Sequence, residues 1–320
     1  MERVSDSSSS QRLTTGLPEV GPWARDKLDA LARYLEFYTK VLKNQPWRTL
    51  YLDAYAGGGR AVVRIGARPP PRGGDLFSDA PPIDTEVREL IDGSPRIALG
   101  LADPFDRYIL VDSDPERVAE LQALKAEFGD RRTINVLKAT AAEGIDWVTR
   151  QPISRKTHRG IAFLDPFGAN LDWASVQKLA ATGLFEVVVN FALSMAIQRM
   201  LPNSGDVPDA WALALDAYFG DRAWFDAVYE RGGGLFAASS VEKRDDSSER
   251  LLALYRSRLR TAFGHVSTPR LIRNTRGAPL YYLIWAGSNK KGLEGADYIL
   301  TMGERIGRRT GETTRGGQAL

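Results

Sequence analysis

The chain has no cysteine among its 320 residues. That excludes disulfides, zinc–thiolate centres, iron–sulfur clusters and cysteine nucleophiles. Histidine is nearly absent as well: only His158 and His265 occur, far apart in sequence. A histidine-built metal site is therefore not expected, and no residue is assigned as a metal ligand. No run of 18 apolar residues occurs, so no membrane-spanning helix is expected. The opening MERVSDSSSSQRLTTG lacks the apolar segment of a signal peptide, and a cytoplasmic protein is the expectation. A strong charge bias is missing too. Lys and Arg number 43 against 40 Asp and Glu, a net charge of +3. This permits a polyanionic partner such as nucleic acid without demanding one.

The remaining composition, 43% hydrophobic and 26% charged, is that of an ordinary globular chain. Its length suits one large domain or a domain with an insertion. Residues 1–20 are Ser/Thr-rich and read as disordered. Residues 23–42 carry Leu28, Leu31, Leu35, Tyr38 and Leu42 at helical spacing. TLYLDAYAG (49–57) reads as a first strand. The stretch 60–93 reads as a long Pro/Gly/Arg loop. In GSPRIALGLA (93–102), Ser94 suits an N-cap and Pro95 the first helical position.

From there strands and helices alternate. Strands are expected at 107–114, 133–140, 160–168 and 185–193, with helices at 115–129, 142–151 and 173–182. That alternation implies a mainly parallel sheet with right-handed crossovers. Residues 206–263 read as helical throughout, and PRLIRN (269–274) with LYYLIWAGS (280–288) reads as a hairpin. The expected fold is α/β: a Rossmann-like, mostly parallel seven-stranded sheet with a C-terminal antiparallel hairpin and a helical insertion, the methyltransferase variant of the doubly wound fold. The expected division is a disordered segment 1–20, a cofactor-binding core 21–199, a helical insertion 200–264, a hairpin 265–302 and a flexible tail 303–320.

In open α/β sheets, ligands bind outside the carboxyl ends of the strands. Asp53, Asp112 and Asp165 each end an expected strand, which puts all three on one edge. Gly57, Gly58 and Gly59 follow Asp53, with Tyr55 between. The string lacks the G-x-G-x-x-G spacing of a dinucleotide turn, and no helix directly follows to receive a pyrophosphate. S-adenosylmethionine has no phosphate and tolerates a detached helix. A strand-end acid can face its cationic groups. A tight structural turn is the plain alternative. Asp112, with Ser113 beside it, suits ribose hydroxyls, while Asp112 and Asp114 could instead cap the next helix. Asp165-Pro166-Phe167 is one residue shorter than the acid/amide–proline–aromatic motif of amino-methyltransferases, and a strand-end turn is its alternative. Asn190 adds a polar group on that edge. Arg60 and Arg199 are candidates for holding an anionic substrate, though Arg199 could simply close a helix. Arg60, Arg64, Arg68 and Arg72 follow the first strand on this edge, where they could contact phosphates or form a flexible solvated loop. Arg131, Arg132, Arg155, Lys156, His158 and Arg159 precede strands on the opposite edge and read mainly as a solvated face.

The ordered series WARDK (23–27), YLDAYAGGG (51–59), GSPRIAL (93–99), FLDPFG (163–168), VVNF (188–191) and LYYLIWAGSNKKGLE (280–294) resembles the three-Cys-motif partner family, TcmP. The resemblance spans about 20 to 305. It implies a class I S-adenosylmethionine-dependent methyltransferase and a partner protein with a three-cysteine motif. It marks Lys27, Asp53 with Gly57 and Gly59, Asp112, and Asp165 with Pro166 as site positions, with a plain surface-helix residue as the alternative for Lys27. The family turn often reads AGPG, whereas here it is the looser AGGG. The leading function is methyl transfer to a nitrogen or oxygen of a nucleic acid or nucleoside. Without cysteine, the thiolate route to 5-methylcytosine is closed. The alternatives are a non-catalytic binding module of the same fold and a metal-dependent nuclease.

Overall fold

The computed structural model describes residues 18–65, 87–129, 132–231 and 241–309. Among the described residues there are thirteen strands and nine α-helices, numbered along the chain, with α4 at Ala141–Thr149. The first core strand, β2 (Arg48–Asp53), is buried at every position after Arg48. Burial on both faces is what a central parallel strand requires. It lies between β5 (Arg107–Asp112) and β7 (His158–Leu164), parallel to both. β6 (Thr133–Lys138) extends the sheet beyond β5, and β8 (Phe185–Phe191) extends it beyond β7. β13 (Pro279–Gly287) then pairs antiparallel with β8. The result is the expected mixed α/β architecture with a large, mostly parallel sheet.

Among the described residues the sheet has eight strands rather than seven. β11 (His265–Val266) and β12 (Arg270–Arg273) pair with opposite ends of β13, where the sequence suggested one strand. Pro269, between them, cannot donate to a ladder.

Successive strand residues face opposite sides. Leu50, Leu52, Ile109, Val111, Ala162 and Leu164 enter one core, shared with α5 (Trp173–Ala181), α6 (Asp209–Phe219) and α8 (Ser247–Phe263). Tyr51, Tyr108, Leu110, Ile161 and Phe163 enter the other. There α1 (Trp23–Leu42) contributes Leu31, Leu35 and Tyr38, as its periodicity predicts. α9 (Lys290–Arg309) covers the same face through Ala296, Ile299 and Leu300. The sequence reading placed no helix there and expected a flexible tail from 303. Residues 310–320 lie outside the described residues.

Three further expectations change. The stretch 60–93 is not simply a loop: β3 (Arg60–Ile65) and β4 (Val87–Asp92) pair antiparallel, from Arg60 opposite Asp92 to Ile65 opposite Val87. Proline and glycine density hid the extended RAVVRI run. Residues 66–86, with Arg68 and Arg72, lie outside the described residues, and β1 (Glu19–Val20) pairs parallel with β3. The segment 206–263 is not helical throughout. Beside α6, α7 (Ala223–Val228) and α8, it holds the antiparallel pair β9 (Tyr229–Arg231) and β10 (Val241–Lys243). Ser94 starts α2 (Ser94–Leu99), but Gly93 occupies the cap and no side chain caps it.

Candidate active site at the carboxyl edge

The parallel strands end at one edge of the sheet, where they enclose a cavity of about 340 Å³. Its walls are the start of α1, the turn after β2, the base of the β3–β4 ribbon, the segment after β7, and Tyr281 of β13. Ion pairing between Arg25 of α1 and Glu89 of β4 ties the ribbon to the helix.

Asp165, Asn190 and Lys27 meet here. Asp165 follows β7, and Asn190 lies in the neighbouring β8. Lys27 reaches across from the first turns of α1. Its Nζ donates to Asp165 Oδ2 at 2.5 Å and lies 5.5 Å from the Tyr281 ring centroid. Asn190 Nδ2 donates to Asp165 Oδ1 at 2.6 Å. Each Asp165 oxygen thus already accepts one hydrogen bond from the protein. Donation to a carboxylate also fixes the orientation of the Asn190 amide. Asn190 Oδ1 points the other way: it is buried and has no hydrogen-bond partner among the described residues, in a residue only 5% exposed. A buried acceptor left unmade is costly and marks where a donor belongs.

Asp53 is fully buried and does not line the cavity. It sits beneath the glycine turn and holds it. Tyr51 Oη donates to Oδ2 at 3.0 Å, and the Tyr55 amide donates to Oδ1 at 3.3 Å. Ser94 also donates to it. Burial pushes the carboxyl up to about 7, helped by the negative charge of Asp165 and opposed by hydrogen bonds from Ser94, Tyr51 and Tyr55. Ser94 and Tyr51 were not singled out as site residues. The position of Ser94 at a helix start suggested a cap instead.

Gly57 and Gly59 have φ of +61° and +83°, a left-handed conformation that glycine adopts without strain. They line the cavity with Tyr55, Gly58 and Arg60. Tyr55 Oη donates to the Asn170 carbonyl at 3.0 Å.

Asp112 is buried and lies outside the lining. Its Oδ2 accepts from the Gly57 amide at 3.0 Å and its Oδ1 from the Asp114 amide at 2.9 Å. It shapes the glycine turn from the neighbouring strand. Asp114, for its part, caps α3 (Pro115–Phe128) by accepting from Glu116 and Arg117. Ser113 and Arg199 are exposed and outside the cavity.

Phe167 stands at the mouth, 65% exposed, with the Arg117 guanidinium 5.2 Å from its ring centroid. Pro166 lines the wall beside it, and Arg60 at the rim lies 3.9 Å from Asp92. Trp23, Met195 and Tyr281 complete an apolar wall that the sequence reading missed as site residues. Trp23 and Tyr281 lay inside quoted motifs, but nothing local told wall from core. Among the described residues, no three His, Asp or Glu side chains gather as metal ligands, and no helix is long and apolar enough to cross a membrane.

No family model matches the chain. No curated protein matches it either. Solved structures show distant likeness. A Legionella pneumophila protein is 14% identical, with 81% of this chain and 96% of that one covered, at TM-score 0.37. An S-adenosylmethionine-dependent methyltransferase from Clostridium acetobutylicum is 12% identical, covering 80% and 91%, at TM-score 0.29. A conserved hypothetical protein from Streptococcus pyogenes is 18% identical, covering 51% and 79%, at TM-score 0.28. Likeness at these scores carries no functional argument, and the reading below rests on the cavity.

Proposed function

We propose that this chain is an S-adenosylmethionine-dependent methyltransferase acting on an amino nitrogen of a nucleoside or nucleic acid. The observation that carries the reading is the buried Oδ1 of Asn190, unpartnered among the described residues, in a side chain that lines the carboxyl-edge cavity beside Asp165-Pro166. The topology supports it: an antiparallel final strand inserted beside the fifth parallel strand is the arrangement of the class I methyltransferase, Rossmann-like fold.

The residues present fit the cofactor. A Cβ added to Gly57 would meet nothing within 4 Å, so this side of the turn is open to a ligand. Tyr55 and Gly57–Gly59 would hold the cofactor from the turn. Asp112 would act from beneath the turn, its Oδ2 accepting from the Gly57 amide and lying 3.8 Å from the Arg117 guanidinium. When bound, the cofactor supplies an electrophilic methyl group on a sulfonium.

The chain's own residues position the acceptor. Asn190 Oδ1 accepts one N–H of the amine and the Pro166 carbonyl another, which keeps the nitrogen lone pair free for in-line attack. Phe167 offers a face to the base carrying that amine. Lys27 and the Asn190 amide occupy Asp165, so its role is to hold Asn190 in place, and the proton of the amine would pass to solvent water once the new N–C bond has formed. Positioning supplies most of the rate. A partner protein with a three-cysteine motif belongs to the proposal through the sequence resemblance alone.

The test is calorimetric titration with S-adenosylhomocysteine, followed by methyl transfer to nucleosides and RNA. Asn190→Ala should leave cofactor affinity within about twofold and lower turnover by about 100-fold. No saturable heat at millimolar cofactor, or unchanged turnover in Asn190→Ala, would sink the reading.

A further inference from the structure

A second cavity, of about 900 Å³, lies on the opposite edge of the sheet, where β7 and β8 begin and β13 ends. The wall is built from α1, Trp47, the starts of β7 and β8, and the first turns of α9. Its volume is that of a small-molecule site.

The sequence predicts a solvated basic face on this edge, and the structure gives that face an interior. Arg159 is half-buried, with its guanidinium 3.9 Å from the Trp47 ring centroid. It also donates to the carbonyls of Arg155 and His158. A guanidinium stacked on an indole and tied to two carbonyls is fixed in place. Arg155, Lys290 and Lys291 are exposed around it, so four cations face two carboxylates, Glu186 and Glu294.

Glu186 enters the same cavity from β8. Its Oε2 accepts from Tyr34 Oη at 2.7 Å and from Trp285 Nε1 at 3.1 Å. Its Oε1 accepts from no described residue. The first turn of α9 passes so close that a Cβ on Gly292 would lie 2.9 Å from Oε1. Tyr38 also lines the cavity. It is 6% exposed, and its hydroxyl is buried without a partner among the described residues. A buried hydroxyl without a partner and a carboxylate oxygen without a donor both call for a ligand that hydrogen-bonds.

These features describe one kind of guest: flat, with an N–H donor at one end and an anion at the other. We propose that the second cavity binds a nucleoside phosphate, its base N–H donated to Glu186 Oε1 and its phosphate held by Lys290, Lys291 and Arg155. Phe37 and Phe185 supply apolar walls for the base. A free mononucleotide and the terminal nucleotide of a strand share this chemistry. The inference is independent of methyl transfer at the other edge.

The full chain is titrated with guanosine and adenosine monophosphates, guanosine alone, inorganic phosphate, and a short 5′-phosphorylated RNA. A monophosphate should bind saturably, and guanosine and phosphate each about tenfold or more weaker. Replacing both exposed lysines, Lys290→Ala with Lys291→Ala, should weaken the nucleotide about tenfold and leave guanosine unchanged. Glu186→Gln should weaken guanosine and nucleotide alike. Where that variant misfolds, the lysine pair still decides. Gly57→Ala at the first cavity should leave nucleotide binding unchanged. Tighter binding of the RNA assigns the source as a strand; equal binding assigns the free nucleotide. No saturable heat with any nucleotide or RNA overturns the proposal. So does phosphate binding as tightly as the nucleotide, or a loss caused by Gly57→Ala and not by the lysine pair.

Discussion

Replacing Asp53 by asparagine should stabilise the protein at high pH and hardly at all at low pH. The carboxyl titrates near 7 in the fold against an ordinary 3.8 in the unfolded chain, chiefly because it is fully buried. The unfolded chain therefore ionises first. Stability from the protonated group is fully present below 3.8, declines as the pH rises, and is lost above 7. At 1.36 kcal/mol per pH unit, the whole span is worth on the order of 4 kcal/mol, of which about 3 kcal/mol falls between pH 5 and pH 8. Asparagine does not titrate, and the local geometry accepts it. Its oxygen can keep the Tyr55 amide, and its NH₂ can face Tyr51 Oη and Ser94, whose hydroxyls rotate to accept. Thermal unfolding of both proteins from pH 5 to pH 8 is the assay. The melting temperature of Asp53→Asn minus that of the parent should widen by about 5 °C over that range. Ser94→Ala, which removes a hydrogen bond opposing the shift, should make the parent's own loss with pH steeper. A gap that stays constant with pH would refute a buried, proton-holding Asp53.

Lys27→Ala should cost about 2 kcal/mol in urea unfolding, because it leaves Asp165 with a single donor in a site where the two side chains are only 14% and 22% exposed. Lys27→Arg should recover part of that loss, and full stability in the alanine variant would remove the pair from the argument. Gly59→Ala should cost about 1–2 kcal/mol in melting experiments, since φ is +83° and the new Cβ would lie 3.2 Å from a Leu124 methyl. Gly57→Ala, whose Cβ meets nothing within 4 Å, should lose cofactor affinity out of proportion to its stability, read by calorimetry against the melting temperature.

The sequence by itself determined the parallel strands with their intervening helices and the polarity of the sheet, but not β4, β9, β10, β11 or α9. Helical spacing located α1 at Trp23–Leu42, and apolar runs punctuated by helices located the five parallel strands. Period and composition are properties of neighbouring residues, so they are legible in a string. The same holds for the glycine turn and for the acids at the strand ends, which parallel strands necessarily carry to one edge. Extended structure in β3 was harder to read, because its alternation is short and lies beside a Pro/Gly-rich run. Only the tertiary structure decided what each polar group does. Lys27 and Asp165 are 138 residues apart and meet because the start of α1 and the segment after β7 line one cavity. Asp112 binds the Gly57 amide because β2 and β5 are neighbours, and Ser94 reaches Asp53 instead of capping a helix. The burial that holds a proton on Asp53, and the cavity that encloses Glu186 and Arg159, arise only when distant segments exclude water together. That exclusion depends on which elements become neighbours, and no local pattern of residues specifies it.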